Sequence, residues 1–364
     1  MRRILNTVRA RRDDWRSAFC RWRYDVPRSV VDQITGLQRV VFMRWDAKWG
    51  DSVIFSLVVP ELRKLTREIS IEVVATPEMA PLFAEHFGVD RVHVIRKRPS
   101  TREIRCLASE IGSIDLLVHF SEVAKPRDIF FMHCTDARYI ASLDDSVDMT
   151  NIKLGKATQG LHMEDRYSEF LKYCDVSHPK KMYIVPRQQT SEASVTKYLA
   201  QRKRPFVAIN PFSKGRAKSF NIETTKRLIE HILSVATEHD VCLLTAPGFQ
   251  REIGALSGQW DSDRCFYYPD THTIFDNVAL LSNASAQVTA STATVHIADG
   301  LGVASFVLFP YGPGELAAWH SVHPLSINMM GLQSAVDDVN SLDWNEVEQN
   351  LKMFIKKVTS TDKV

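Results

Sequence analysis

Val40-Val41-Phe42-Met43-Arg44-Trp45-Asp46-Ala47-Lys48-Trp49-Gly50-Asp51-Ser52 decides how the first half of the chain is read. Four apolar residues in a row, with no polar residue between them, mark a strand buried on both faces. A polar loop follows, then a helix expected from about Ser52 to Leu65. The unit recurs. Ile71 to Ala75, Val92 to Ile95 and Leu116-Leu117-Val118 read as strands, and Glu78 to Phe87 as a helix. In the second half Phe206-Val207-Ala208-Ile209 is a strand, and Ile222–Glu238 a helix with Asn221 as N-cap. Val241-Cys242-Leu243-Leu244, a segment ending at Val288, and Phe306-Val307-Leu308-Phe309 are further strands. Buried strands alternating with helices predict parallel α/β sheets.

Between the halves, Ser177 to Arg204 is rich in Lys, Gln and Arg, carries Pro179 and Pro186, and holds one short helix near Ser191–Ala200. The expected organisation is a basic arm over 1–36, one Rossmann-like domain over 37–185, and a second over 186–364 that ends in an amphipathic helix, Trp344 to Val358. A chain of 364 residues suits two cores better than one. A net charge of +3 gives no electrostatic case for nucleic acid. The 6 cysteines are scattered, with neither a CxxC pair nor metal-ligand spacing, so no disulfide framework or metal site is expected. No apolar run is long enough to span a bilayer and no secretory signal is present, so the expected location is the cytoplasm.

The first 25 residues are uneven in charge: eight arginines, Arg2, Arg3, Arg9, Arg11, Arg12, Arg16, Arg21 and Arg23, against Asp13, Asp14 and Asp25. Ile4, Val8, Trp15, Phe19 and Trp22 fall on one face of a helix, interrupted by Arg11. Two readings stand: a helix lying on an anionic membrane surface, or one packed on the protein's own body.

Four loops carry candidate chemistry. In Arg44–Ser52, Asp51 is either a helix N-cap or a carboxylate able to take a proton from a hydroxyl, and Gly50 permits the tight turn. Asn210-Pro211-Phe212-Ser213-Lys214-Gly215-Arg216-Ala217-Lys218 is a cationic, hydroxyl-bearing loop without the P-loop pattern. It is either a solvated basic loop or a clamp for a diphosphate. Thr289-Ala290-Ser291-Thr292-Ala293-Thr294-Val295-His296 opens a helix whose amino end suits a pyrophosphate; His296 is a ligand or a packing residue. Leu244-Thr245-Ala246-Pro247-Gly248-Phe249-Gln250-Arg251-Glu252 is a Pro-Gly turn after a strand that suits a base or ribose; Glu252 bonds a ribose or sugar hydroxyl or is simply solvated.

Taken in this order, together with His162-Met163-Glu164-Asp165-Arg166-Tyr167 and Ser291 to Gly302, the segments resemble glycosyltransferase family 9, the ADP-heptose:lipopolysaccharide heptosyltransferases, over about Val40 to Trp319. The resemblance implies a GT-B fold, two Rossmann-like domains with parallel sheets facing across a cleft. It also implies an inverting transfer without metal or other cofactor, from a nucleotide sugar such as ADP-heptose to a lipopolysaccharide core. On it, Asp51 is the base. The acceptor belongs to the N-terminal half, where Arg44, Asp46 and Lys48 are candidate contacts. The donor belongs to Ser213, Lys214, Lys218, Glu252, Ser291, Thr292, Ala293 and His296. The family's Asp-Thr-Gly ahead of the His is Ser291-Thr292-Ala293 here, so the acidic residue is missing. A UDP-sugar transferase and a non-catalytic nucleotide-binding scaffold are the competing readings.

Overall fold

The computed structural model describes residues 15–66, 68–213, 215–258, 263–334 and 338–361. The chain divides into two compact units, one ending at Lys181 and one beginning at Met182. The first contains α1 (15–24), β1 (Arg39–Arg44), α2 (Trp49–Phe55), α3 (Val58–Arg63), β2 (Ser70–Ala75), β3 (Arg91–Val94), α4 (Thr101–Ile111), β4 (Ile114–His119), α5 (Pro126–Cys134), β5 (Ala137–Ser142), β6 (Ile152–Lys153) and α6 (Met163–Tyr173). Its six strands are all parallel, in the order β3-β2-β1-β4-β5-β6.

The second unit repeats the plan with α7 (Gln189–Leu199), β7 (Phe206–Asn210), α8 (Ile222–Val235), β8 (Asp240–Leu243), α9 (Gln250–Ser257), β9 (Cys265–Tyr267), α10 (Ile274–Leu281), β10 (Ala286–Ala290), α11 (Ala293–Leu301), β11 (Ser305–Phe309), α12 (Pro313–Trp319), β12 (Ile327–Met330) and α13 (Trp344–Thr361). Its order is β12-β11-β10-β7-β8-β9, again all parallel. Counted from its own first strand, each sheet reads 3-2-1-4-5-6, the doubly wound Rossmann order.

Side chains alternate across each strand. Val41 and Met43 join Ile104, Leu107, Ile129 and Phe131 under α4 and α5. Phe42 points to the opposite face, edge-on to Phe55 (4.9 Å) and Phe170 (6.0 Å). In the second sheet Val207 and Ile209 share a core with Leu228 and Ile232 of α8 and with Leu351 and Phe354 of α13. Within this unit Gly300 of α11 has no room for a side chain: a Cβ there would stand 2.5 Å from Val185 Cγ2.

Several elements differ from expectation. The single helix over Ser52–Leu65 is two, α2 and α3, because Pro60 has no N–H to continue a ladder onto Ser56. The helix expected over Glu78–Phe87 narrows to a π-helical turn, Leu82–His86, introduced by Pro81. α8 stops at Val235, before Glu238. The helix expected over the first 25 residues is present over 15–24; Ile4, Val8 and Arg11 lie outside the described residues. α1 packs on the body through Cys20, buried in the α4–α5 core, and Tyr24, edge-on to Phe130 at 4.9 Å. The Trp15–Phe19–Trp22 stripe is not the packed face.

Asn221 caps α8 as expected, its Oδ1 accepting from Thr224 N at 2.7 Å. Asn221→Ala is expected to lower stability by about 1 kcal/mol, read as a shift in urea midpoint at unchanged slope.

Candidate functional site

In a doubly wound sheet the crevice opens at the carboxyl edge, where neighbouring strands send their connections to opposite faces. In the first unit that point lies between β1 and β4. The chain leaves β1 through Trp45, whose buried indole N–H donates to Asp128 Oδ1 at 2.9 Å. Asp128, in the first turn of α5, also accepts from Lys125 N (2.8 Å) and Arg127 Nε (3.2 Å). His119 Nε2, at the end of β4, stands 3.7 Å from Asp128, and its Nδ1 is 3.0 Å from Ser142 Oγ at the end of β5. Burial favours the neutral acid at Asp128, but His119, the Lys125 N–H and Arg127 outweigh it and hold its pKa below the ordinary carboxyl value. The ends of two strands, β4 and β5, and the loop after β1 are thereby tied to one carboxylate.

Arg44, the last residue of β1, is buried. Its guanidinium lies 3.7 Å from Asp46 Oδ2, 3.5 Å from Ser52 Oγ and over the Phe55 ring. Burial opposes its charge, but Asp46, Tyr167 and Asp51 nearby more than offset this. Tyr167 belongs to the His162–Tyr167 motif: His162 caps α6, and the Tyr167 ring stacks flat on Phe120 at 4.0 Å. Two expectations are corrected here. The N-cap of α2 is Lys48, and Asp51 lies three residues on, in the first turn, within 3.2 Å of Lys48 Nζ. The turn residue with positive φ is Ala47 (55°), while Gly50 sits inside α2. At that position the Asp51 carboxylate meets the positive end of the helix, with one fifth of its side chain open to solvent.

The second unit reverses between β7 and β10. Asn210, ending β7, donates its amide to Thr292 Oγ1 and Thr294 Oγ1, both at 3.1 Å. Thr289 Oγ1 is 3.2 Å from each of those hydroxyls, which are 2.9 Å from each other. This polar knot takes up the Thr292 side chain, so Thr292, the N-cap of α11, makes no side-chain cap. Ala293 is the first residue of α11, whose first turn holds no acidic residue. The positive end of this helix dipole thus lies at the crevice.

Lys218 ends a short 3₁₀ turn, Arg216–Lys218, and its Nζ pairs with Glu315 Oε1. The same oxygen accepts from Ser291 Oγ at 3.0 Å. Lys218 and Ser291 therefore meet on one carboxylate, beside the knot that holds Thr292. Ser213 braces the loop through Ser219, which takes its N–H at 3.0 Å. Lys214 lies outside the described residues. Phe212 and Phe249 pack with ring centroids 4.7 Å apart at the loops after β7 and β8, and Glu252 is exposed in the first turn of α9. His296 is buried in α11, its ring 5.8 Å from that of Trp319 and Nδ1 3.9 Å from Asp299. Among the described residues no three His, Cys, Asp or Glu side chains group to hold a metal ion.

No family model matches the sequence, and no curated protein matches it. Solved structures do match in three dimensions. A glycosyl transferase family 9 protein from Veillonella parvula superposes with a TM-score of 0.69 at 14% identity, covering 90% of this chain and 100% of that one. The Escherichia coli heptosyltransferase WaaC with ADP gives 0.61 at 15%, over 87% of this chain and 100% of that one. The E. coli ADP-heptose LPS heptosyltransferase II gives 0.60 at 13%, over 88% and 99%. The fold is that of the family 9 glycosyltransferases.

Within this family 9 fold, two residues that sequence reasoning passed over stand at the crevices: Asp128 and Glu315. Both had a readable signal. Pro126-Arg127-Asp128 and Pro313-Gly314-Glu315 each place a proline at a helix start and an acid two residues on, the pattern of a first turn.

Because the Asp128 pKa is depressed on folding, its stabilising share is complete above the unfolded carboxyl value, about 3.9, and is lost as pH falls through the folded one. Asp128→Asn is expected to cost stability at pH 7 and to differ less from wild type in urea melts near pH 3.5. An equal difference at both pH values would show that the charge is not what Asp128 contributes.

Proposed function

We propose that this protein is an inverting glycosyltransferase that moves a heptose-type sugar from a nucleotide donor, ADP-heptose, to a lipopolysaccharide-core acceptor. The observation that carries the reading is the cluster at the second crevice. Lys218, Ser291 and Glu315 share one contact, next to the amino end of a helix with no acid in its first turn. A leaving diphosphate needs such a cationic, dipole-lined seat. Structures of the same fold are described with ADP and with ADP-2-deoxy-2-fluoro heptose, which supports the choice of donor.

In the proposed reaction Asp51 takes the proton from the attacking acceptor hydroxyl, with Lys48 Nζ 3.2 Å from its Oδ2. Arg44, Asp46 and Lys48 line the acceptor side. The hydroxyl attacks the anomeric carbon from the face opposite the diphosphate, giving inversion. Charge that builds on the departing oxygen is met by Lys218 and the start of α11, which take the part a divalent ion plays in other transferases. Phe249 offers a face for the base and Glu252 an acceptor for ribose. Glu315 supplies the carboxylate that Ser291 does not, and bonds a sugar hydroxyl once the diphosphate has taken Lys218. The acceptor sugar is built on a lipid, so the reaction belongs at the cytoplasmic face of an anionic membrane.

The test is nucleoside diphosphate release from a panel of ADP- and UDP-sugars, with lipopolysaccharide core and with EDTA present. Acceptor-dependent ADP release that survives EDTA is expected. UDP release would replace the donor, EDTA loss would replace the metal-free chemistry, and no release from any donor would sink the reading in favour of a scaffold. Asp51→Asn is expected to lower kcat by about 10²–10⁴-fold with donor KM little changed. Lys218→Ala is expected to lower kcat/KM by about 10–100-fold, the worth of a charge-assisted hydrogen bond. Glu315→Gln frees Lys218, so ADP is expected to bind more tightly by calorimetry while transfer slows; weaker ADP binding would contradict the assigned role.

A further inference from the structure

α1 shows two opposed faces. At about 100° per residue, Cys20, Tyr24, Ser17 and Arg21 fall on one side. That side is docked: the Cys20 thiol donates to Pro126 O at 3.2 Å, Arg21 reaches Asp144 Oδ2 (3.1 Å) and Ser146 O (2.7 Å), and Tyr24 packs on Phe130 and His133. Just beyond the helix, Asp25 accepts from Asp148 N and Met149 N. Trp15, Phe19 and Trp22 fall on the opposite side and face solvent, 74%, 50% and 79% exposed. Phe19 sits between the two indoles, centroids 6.2 and 5.8 Å away, so the three rings form one preformed ridge. Arg16 and Arg23, both exposed, lie about a quarter-turn to one side of it.

We propose that this ridge docks the first unit on an anionic lipid surface, with the aromatic rings at the headgroup–acyl boundary and the arginines on lipid phosphates. Three large aromatics left in water by a helix that is otherwise pinned at four points are not a packing leftover. Charge selects the occupant. Arg16 and Arg23 border the ridge, and the preceding fourteen residues add five more arginines against two aspartates. Tryptophan with arginine is the composition of a helix lying in the interface plane, and no helix among the described residues is long and apolar enough to cross it.

The docking also has a direction. Cys20 is level with Pro126, the first residue of α5, and Tyr24 with Phe130 and His133 further along, so α1 and α5 run the same way. Residues 15–19 therefore project about 7 Å beyond the amino end of α5. That is the carboxyl-edge side of the sheet, the side bearing Asp51. A lipid surface held by the ridge is met by the edge where a lipid-borne acceptor is needed. This orientation rests on the proposed function; the docking itself does not.

The experiment is co-sedimentation of the full chain with vesicles of phosphatidylcholine alone or with about one-third phosphatidylglycerol. Preferential binding to the anionic vesicles is expected, weakened by salt. The Trp15→Ala/Phe19→Ala/Trp22→Ala variant changes only exposed rings, so its melting temperature should match wild type while its vesicle partition falls at least tenfold. Arg16→Ser/Arg23→Ser should lose the anionic preference several-fold. Transfer to a soluble, lipid-free core acceptor should be unchanged in all variants, which separates failure of docking from failure of the transferase reading. Equal binding by wild type and triple variant overturns the proposal. So does a wild-type dimer that the triple variant dissolves with no vesicle binding by either, which would assign the ridge to a second copy.

Discussion

Each unit depends on the reversal of strand connections at the middle of its sheet. Parallel strands joined by right-handed crossovers must send their helices to one face on one side of the first strand and to the other face on the other side. Between β1 and β4, and again between β7 and β10, the loops therefore part and leave backbone ends exposed at the carboxyl edge. Most of the candidate site residues stand on a strand end, a loop or a first helical turn at one of these two openings or beside it. The openings have to be braced, because loops that diverge have no neighbours to pack on. Trp45 and His119 brace the first through Asp128, and Asn210 braces the second through three threonines.

The centre of each sheet was legible in the sequence, and of its margins only β3 was, read as Val92 to Ile95. β1, β7 and β11 are buried almost throughout and their apolar runs are unbroken, whereas β10, just as buried, is interrupted by Gln287 and Thr289. β6, β9 and β12 lie at or next to an edge, have residues open to solvent, and carry no such run. β5, read Ala137-Arg138-Tyr139-Ile140-Ala141-Ser142, alternates enough to hide. α4 was passed over although Ser100 and Glu103, three apart, carry its signal, and both halves of that capping box form. Of the site, the loops were legible because chemistry and position coincide there. The partners that complete them come from distant segments, Asp128 from 83 residues beyond Trp45 and Glu315 from 97 beyond Lys218, and pairing at that range leaves no local pattern.

The amino-terminal helix illustrates how a hydrophobic stripe can mislead about packing. Periodicity identified the aromatic face, and the natural inference is that such a face is the buried one. Here a smaller and more polar face, Cys20, Arg21 and Tyr24, attaches the helix through one thiol, two ion pairs or hydrogen bonds and an aromatic edge. A hydrophobic pattern reports that a surface seeks an apolar neighbour. Whether that neighbour belongs to the same molecule depends on what the opposite face can hold.

The pairing of Lys218 with Glu315 has a consequence for selectivity. A lone lysine at a helix amino end would attract any passing anion. With a carboxylate already seated on it, the local charge is close to neutral, and an incoming ligand has to exchange with Glu315 instead of simply arriving. Inorganic phosphate, with one point of attachment, gains little from that exchange. A ligand that engages the lysine and gives the evicted carboxylate a hydroxyl to bind loses nothing by it. On the proposed function, a donor diphosphate and any small anion alike must displace Glu315 from Lys218.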